Sequence, residues 1–442
     1  MGCAVAGDSA PRGAQRPQGP DRGSFQPSSP PTVELPADGR IRLAEALSYA
    51  ESRAPEVLLA QGQLALGEAE VSAAEQLQRT NPTLSLGLGQ RRQGQGRGLE
   101  AEVAISQQLE IAGQRKRRRE AASRYQELLR LGLDAASWQV HAEVHSSFER
   151  ALLADDVSLL AERIVAFDSE LLAMAKRRVE VGDEARVIVE VARAELAISR
   201  SMSAVAARGV TTSRLALARA IGWTGSQLQP LGPAGPIAAA GDREALVRQA
   251  LAQSPHLQRA EKQIEVARAR AEASRREAWP SPTVGLSYAR EGATTTPGNF
   301  NPASDVWMGT IQVPIPAFAR NQGAIARRRA EVRVAESESR VLSLNLATEI
   351  GIAAAHVDVA AARIEALSGS VVPAFERGLA ALQRSYEVGE LDFLAVAQAR
   401  EQMWNARSQV LSARAEYYDA LANLERLVGP IEQAAQDRGE LR

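Results

Sequence analysis

Between Asn81 and Gly89 the chain alternates. Leu84, Leu86 and Leu88 fall on one side, and Ser85, Gly87 and Gly89 fall on the other. A period of two with one apolar side predicts a strand at about 83–91. A polar loop, QGQGRG, leads to a second alternating run at about 99–111. From residue 114 the period changes. Val157, Leu160, Ile164, Phe167, Leu171 and Met174 recur every three or four positions, and no proline occurs between Gly113 and Pro230. This predicts one helix over 114–181, about 100 Å long, with a coiled-coil seam. Gly182 breaks it. A second helix runs back to Gly222, so 114–222 forms an antiparallel hairpin. TGSQLQPLGPAGP (224–236) then reads as a linker.

After the linker the pattern restarts. Glu244-Ala245-Leu246 repeats Glu45-Ala46-Leu47, and Pro255 and Pro282 repeat Pro55 and Pro82. Val284, Leu286 and Tyr288 share one face of a strand at about 283–290, and a fourth strand follows at about 305–313. A helical hairpin is expected over 323–428, kinked near Pro373. RRVEVGDE (177–184) and RSYEVGEL (384–391) are the same turn, 207 positions apart. Glycine suits that turn because a left-handed backbone ends many helices. Asp183 and Glu390, the acids that follow, suit the N-terminus of the returning helix. The chain therefore reads as a tandem duplication. A disordered tail (1–37) precedes the first repeat (38–223). A linker (224–240), the second repeat (241–428) and a C-terminal tail (429–442) follow.

Composition narrows the possibilities. Of 442 residues, 45% are hydrophobic but only 4% aromatic, which favours long helices and thin seams over a broad aromatic core. The net charge of -1 argues against a nucleic-acid partner. One cysteine, Cys3, leaves no internal disulfide and argues against a thiolate metal site. No run of 18 apolar residues marks a transmembrane helix. The opening MGCAVAGDSA lacks the apolar centre of a signal peptide. Two readings stay open there: a cytosolic chain, or an exported one whose leader lies outside this sequence.

No catalytic constellation emerges, and no enzyme activity or cofactor is expected. His141 and His145 sit four apart on one helix face, a spacing that can hold a metal. Without an HExxH motif or a third ligand, a surface position or interhelical packing is the expectation. Gly113 in the first repeat, and Pro314 and Pro316 in the second, mark the passage from strand to helix, since proline cannot donate to a ladder. Arg115, Lys116, Arg117, Arg118 and Arg119 follow one junction, and Arg327, Arg328 and Arg329 follow the other. With no aromatic platform among them, they read as a membrane-proximal collar at the lipid headgroups. Four strands with one apolar face cannot bury themselves in a membrane, where a barrel needs at least eight strands and no open edge. Three copies would give twelve, although other copy numbers also close.

The duplicated pattern resembles the TolC-type outer-membrane efflux family. NPTLSLGLG (81–89), ISQQLEIAGQR (105–115), VPIPAFARNQGAIA (313–326) and YEVGELDFLAVAQAR (386–400) carry the resemblance, which covers roughly 40–428. The segments around Ile105–Arg115 and Pro314–Gly323 are most similar to the cation-efflux, CzcC-like branch that serves heavy-metal resistance-nodulation-division pumps. The resemblance implies a membrane α+β fold. In it, four strands per subunit build a trimeric, 12-stranded outer-membrane β-barrel continued by a long periplasmic α-helical barrel. It implies an outer-membrane location and a passive exit duct, whose cargo is expected to be metal cations. The implied partners are a homotrimer, a periplasmic membrane-fusion adaptor, an inner-membrane pump and outer-membrane lipid. The tips Val181, Gly182, Asp183, Val388, Gly389 and Glu390 would meet the adaptor.

A periplasmic gate would lie one to two turns into the return helices. This chain places Ile188, Glu190 and Val191 there in the first repeat, and Asp392, Ala395 and Gln398 in the second. These residues fit either a carboxylate ring or a narrow, partly apolar constriction. Cys3 follows Gly2, as a lipid-bearing cysteine follows a small residue, so a lipid anchor at Cys3 is a further expectation. Drug, solvent or protein export through the same channel, or a soluble coiled-coil scaffold, are the alternatives.

Overall fold

The computed structural model describes residues 39–93, 96–225, 227–296 and 298–429. The expected tails, with Cys3, fall outside the described residues, apart from Gly429.

Each repeat opens on a pair of helices. In the first, α1 (Leu43–Arg53) hands over at Ala54 to α2 (Pro55–Glu75). In the second, α5 (Arg243–Gln253) hands over at Ser254 to α6 (Pro255–Glu277). Proline at the first helical position explains both handovers, because it starts a helix readily and cannot continue one. Two strands follow in each repeat. They are β2 (Thr83–Gln93) and β3 (Gly96–Gln108), then β5 (Thr283–Glu291) and β8 (Ser304–Gln312). These four form one antiparallel sheet in the order β2-β3-β5-β8. Four short strands, in two pairs, were not expected: β1 (Arg40–Ile41), which pairs in parallel with β4 (Gln229–Pro230), and the ribbon of β6 (Thr294–Thr296) with β7 (Asn299–Asn301).

The long helices follow. α3 (Gln114–Val181) is 68 residues, which is about 100 Å at 1.5 Å per residue. The return helices α4 (Arg186–Ile221) and α9 (Phe393–Val428) are 36 residues each. The helix opposite α3 is not continuous. α7 (Gln322–Ala366) gives way to a π-helical turn, Leu367–Val371, and then to α8 (Val372–Glu387). The bend anticipated at Pro373 is this turn. Proline has no N–H for the preceding ladder, and within the turn the Ser368 and Ser370 hydroxyls bond back to the carbonyls of Ile364 and Ala366.

Three apolar cores hold the helices together. One lies among α1, α3 and α4, around Tyr49, Val144, Phe148, Leu217 and Ile221. A second joins α5, α7 and α9 around Leu246, Ile350, Val357, Tyr417 and Leu424. The third, near the turns, packs Leu171 and Met174 against Tyr386, Phe393 and Met403. The neighbours run α2, α3, α6, α7 at the sheet end and α4, α3, α9, α8 at the turn end. The helical layer therefore has two free edges, α2 with α4 on one side and α7 with α8 on the other.

Candidate functional site

The sheet shows its chemistry row by row. Leu84 pairs with Ile105, Ile105 with Leu286, Leu86 with Val103, and Val284 with Ile311. Because side chains alternate along a strand, these residues share one face, and that face is almost wholly exposed in the single chain. Leu88 is 84% exposed and Ile311 76%. The opposite face carries Ser85, Ala104 and Ser287 in one row, and Gly87, Glu102 and Ala289 in the next. Met308 and Val306 lie at the β8 end of those rows, so the second face is mixed rather than purely polar. The outer edges of β2 and β8 have no strand partner among the described residues. β5 and β8 are nine residues each, the length a tilted strand needs to cross a bilayer. Tyr288 and Trp307 stack across strands at 4.9 Å, and the Tyr288 hydroxyl donates to Asp305 at 2.8 Å. Among the described residues, no helix is long and apolar enough to cross a membrane.

At the strand-to-helix junctions the two repeats agree atom by atom. Gly113 precedes α3 with φ of 76°. Its counterpart is Asn321, φ 56°, at the start of α7. The sequence reading missed Asn321, although asparagine is among the side chains best tolerated in the left-handed region. The first residue of each long helix bonds back in the same way. Gln114 Oε1 accepts from the Ala112 amide (2.8 Å), and Gln322 Oε1 accepts from the Arg320 amide (2.7 Å). Pro314 and Pro316 lie in the loop just past β8.

The two turns match as closely. Gly182 and Gly389 have φ of 87° and 85°. Asp183 N donates to Arg178 O at 2.9 Å, and Glu390 N donates to Ser385 O at the same distance. This is the six-to-one bond of a Schellman ending. Val181 and Val388 are both 72% exposed. The acids after the glycines do not cap the return helices. Ala185 holds the cap position of α4, two residues past Asp183. Asp392 caps α9, accepting from the Ala395 amide at 3.0 Å. The loop between glycine and helix is long enough to carry the acid past the helix end, which spacing alone did not show.

The positions that differ between the repeats clamp the two turns together. Arg178 stands where the second repeat has Ser385, and Tyr386 where the first has Val179. The Arg178 guanidinium lies 4.6 Å from the Tyr386 ring centre and donates to the carbonyls of Tyr386 (3.2 Å) and Leu391 (2.9 Å). Glu184 approaches it at 3.7 Å.

The candidate gate residues are spread among several roles. Ile188 packs half-buried on the core near the turns. Glu190 pairs with Arg193 at 2.6 Å. Val191 and Gln398 are exposed, Ala395 is half-buried, and the Asp392 carboxylate is engaged as the α9 cap. A buried ionic group just above them was not anticipated. Arg400 of α9 donates to Asp168 of α3, and to Glu195 of α4 at 2.9 Å. The pair Ala192-Arg193 recurs at Ala399-Arg400, and nothing in that recurrence distinguishes the buried arginine from the exposed one.

His145 is buried, and its Nδ1 meets Glu425 Oε2 at 2.7 Å. Burial disfavours its charged form, but the Glu425 carboxylate, with Glu149 nearby, outweighs this and holds the imidazole above its usual range. Among the described residues, no group of three or more His, Cys, Asp or Glu is placed to hold a metal ion.

Comparisons with known proteins agree with this geometry. Residues 246–430 match the family described as outer membrane efflux protein. The chain is 26% identical over 328 residues to the cobalt-zinc-cadmium resistance protein CzcC of Cupriavidus metallidurans, covering 73% of this chain and 75% of that protein. Its fold matches CusC, whose structures follow folding and transmembrane channel formation, at a TM-score of 0.70 with 17% identity over 88% of this chain and 92% of that one. The outer-membrane channel OprN matches at 0.69 with 18% identity, over 88% and 90% of the two chains. The outer membrane protein VceC of Vibrio cholerae matches at 0.67 with 15% identity, over 88% and 96%. The second half of the chain thus matches the outer membrane efflux protein family directly, and the first half is built on the same plan.

Proposed function

We propose that this protein is the outer-membrane exit duct of a tripartite pump. Metal cations would pass through it, from periplasm to exterior, once a periplasmic adaptor and an inner-membrane resistance-nodulation-division pump have engaged. The observation that carries this reading is the four-stranded sheet, with one continuous apolar face exposed and both edges unpaired. In lipid every backbone polar group must find a partner, so such a sheet is stable only inside a closed barrel. Three copies supply twelve strands, with the apolar face outward to lipid and the mixed face lining the duct.

The helical layer supports the same closure. Val187, Val191, Ile198, Met202 and Val205 form an exposed apolar stripe on α4 at one free edge. Val334, Val341 and Leu344 form another on α7 at the opposite edge. Each stripe recurs at coiled-coil spacing, and the next copy around a ring would cover both. The result is a long helical tube hanging from the barrel. Its far end carries six turns built on Gly182 and Gly389, where the adaptor docks. Val181, Asp183, Val388 and Glu390 project there. The constriction lies just inside, around Ile188, Glu190, Val191, Asp392, Ala395 and Gln398. Opening is a shift between two packings of the helices, driven by the adaptor's preference for the open one. The chain supplies no chemistry to the cargo and no energy. The similarity to CzcC over most of the chain supports cations as the cargo.

The test joins mass, conductance and transport. Detergent-extracted protein should sediment as a particle of about 140 kDa, three times 47.3 kDa. It should insert into planar bilayers as a pore. Cells that express it with its own pump and adaptor should accumulate less cobalt, zinc or cadmium than cells without it. A chain that stays out of the membrane fraction would overturn the reading.

A further inference from the structure

The four connections between sheet and helices share a layered composition that the duct reading does not require. Each exposes a large apolar side chain: Leu77 after α2, Ile111 before α3, Trp279 after α6, and Ile315 and Phe318 before α7. Phe318 is 94% exposed. Within about two turns of the start of each long helix comes a run of cations, 115–119 on α3 and 327–329 on α7, with Arg320 in the loop between. Neither α3 nor α7 has an acid in its first turn.

Carboxylates neutralise only part of this charge. Arg118 pairs with Glu110 (2.6 Å), Arg117 with Glu120 (2.7 Å), and Arg327 and Arg328 both with Glu331. Lys116, Arg320 and Arg329 have no carboxylate partner among the described residues. Lys116 lines a groove of about 630 Å³ between α2 and α3 with Arg115, Arg119, Glu75 and Glu120, in which Arg119 approaches Glu75 at 3.6 Å. The chain as a whole carries a net charge of -1, so the excess is local.

We infer that this belt is a binding surface for anionic phospholipid headgroups, on the membrane leaflet from which the helices emerge. The inference rests on the membrane reading above. The order along the molecule is that of a leaflet. The apolar sheet face meets acyl chains, the exposed aliphatic and aromatic side chains meet the interface, and the cations meet the phosphates. The exposed apolar side chains are unfavourable in water, while the cations beside them are hydrated and free to meet an anion. A phosphate layer compensates the charge while the acyl region covers the apolar residues.

The experiment uses the full chain, reconstituted into phosphatidylcholine bilayers that carry trace spin-labelled phosphatidylglycerol or spin-labelled phosphatidylcholine. The relative association of the two labelled lipids with the protein is the readout. The wild type should prefer phosphatidylglycerol by about fivefold, the factor one near-surface cation contributes, and salt should erode the preference. The triple variant Lys116→Gln/Arg320→Gln/Arg329→Gln orphans no carboxylate and should insert normally. Its preference should fall to about one. Lys176→Gln/Arg177→Gln, at the distant turn end, should keep the wild-type preference. Wild-type protein that inserts but shows no preference, or a triple variant that retains it, would overturn this inference alone. Failure of the wild type to enter either bilayer would sink the membrane reading and this one with it.

Discussion

Arg193 and Arg400 hold the same place in the two repeats, yet their surroundings are opposite. Arg193 reaches Glu190 in solvent, while the Arg400 side chain is 8% exposed and joins Asp168 to Glu195. An exposed pair is worth little, so Arg193→Ala should change stability by less than ~0.5 kcal/mol. Arg400→Ala leaves Asp168 buried and unpaired and should cost ~3–5 kcal/mol. Thermal melting of the two variants side by side checks this. His145 gives a second test at the same scale. Its folded-state pKa lies above that of free histidine. The stabilisation is therefore complete below the unfolded value of about 6.5, and is lost as pH rises through the folded value. The wild-type melting temperature should fall between about pH 5.5 and pH 8 by more than that of His145→Gln. Equal pH slopes would refute the assignment. The spacing of His141 and His145 marked a helix face, but neither His145 nor Arg400 was legible as a buried partner. Burial of a polar side chain depends on which helices cross there, and a heptad seam in one helix does not name the helix opposite.

At the scale of elements the two turn glycines and Gly222 separate strain from collision. Gly182 and Gly389 adopt the left-handed region, with open space where a Cβ would stand. Gly182→Ala or Gly389→Ala should each cost about 1–2 kcal/mol of backbone strain, seen as faster hydrogen exchange at that turn and little change elsewhere. Gly222 is also left-handed, φ 74°, but a Cβ there would collide with the Arg53 carbonyl at the end of α1. Gly222→Ala should therefore loosen the core around Tyr49 and Ile221, lowering the melting temperature of the whole chain further than either turn variant does. The strands and long helices were legible because their periods persist over many residues, and the duplication showed each period twice. What escaped was short or tertiary. The two-residue pair of β1 with β4 has no period to read. Asn321 does the work of Gly113 without being glycine. Pro373 marked an interruption, but not that it takes the form of a π turn over the five residues 367–371.

The whole assembly is decided by surfaces that a single chain leaves bare. The apolar stripe on α4 has the spacing of a buried seam, yet Val187 is 62% and Val205 70% exposed. The corresponding face of α9 carries Leu394, Gln398, Asn405, Gln409 and Ser412, apolar only at its first position. So the two repeats have diverged: the α4 face is apolar where the proposed ring places a neighbour, and the α9 face is mostly polar. Each buried aliphatic side chain contributes ~1.5–3 kcal/mol, and a charge placed there forfeits that and adds desolvation. Ile198→Glu/Val205→Glu on α4 should dissociate the trimer while the protomer keeps its helix content. Val341→Glu/Leu344→Glu on α7 should do the same, and Gln398→Glu on α9 should leave the trimer whole. Because the two stripes sit on opposite edges, the contact between copies joins unlike surfaces. A mixture of the α4 and α7 variants then has one intact edge on each partner. It should form dimers through that single contact and stop there, since both remaining edges carry charge. Sedimentation of the mixture in detergent distinguishes the outcomes. Dimers from two variants that are each monomeric alone mean a ring of unlike edges. Monomers throughout, or restored trimers, mean that the copies meet elsewhere.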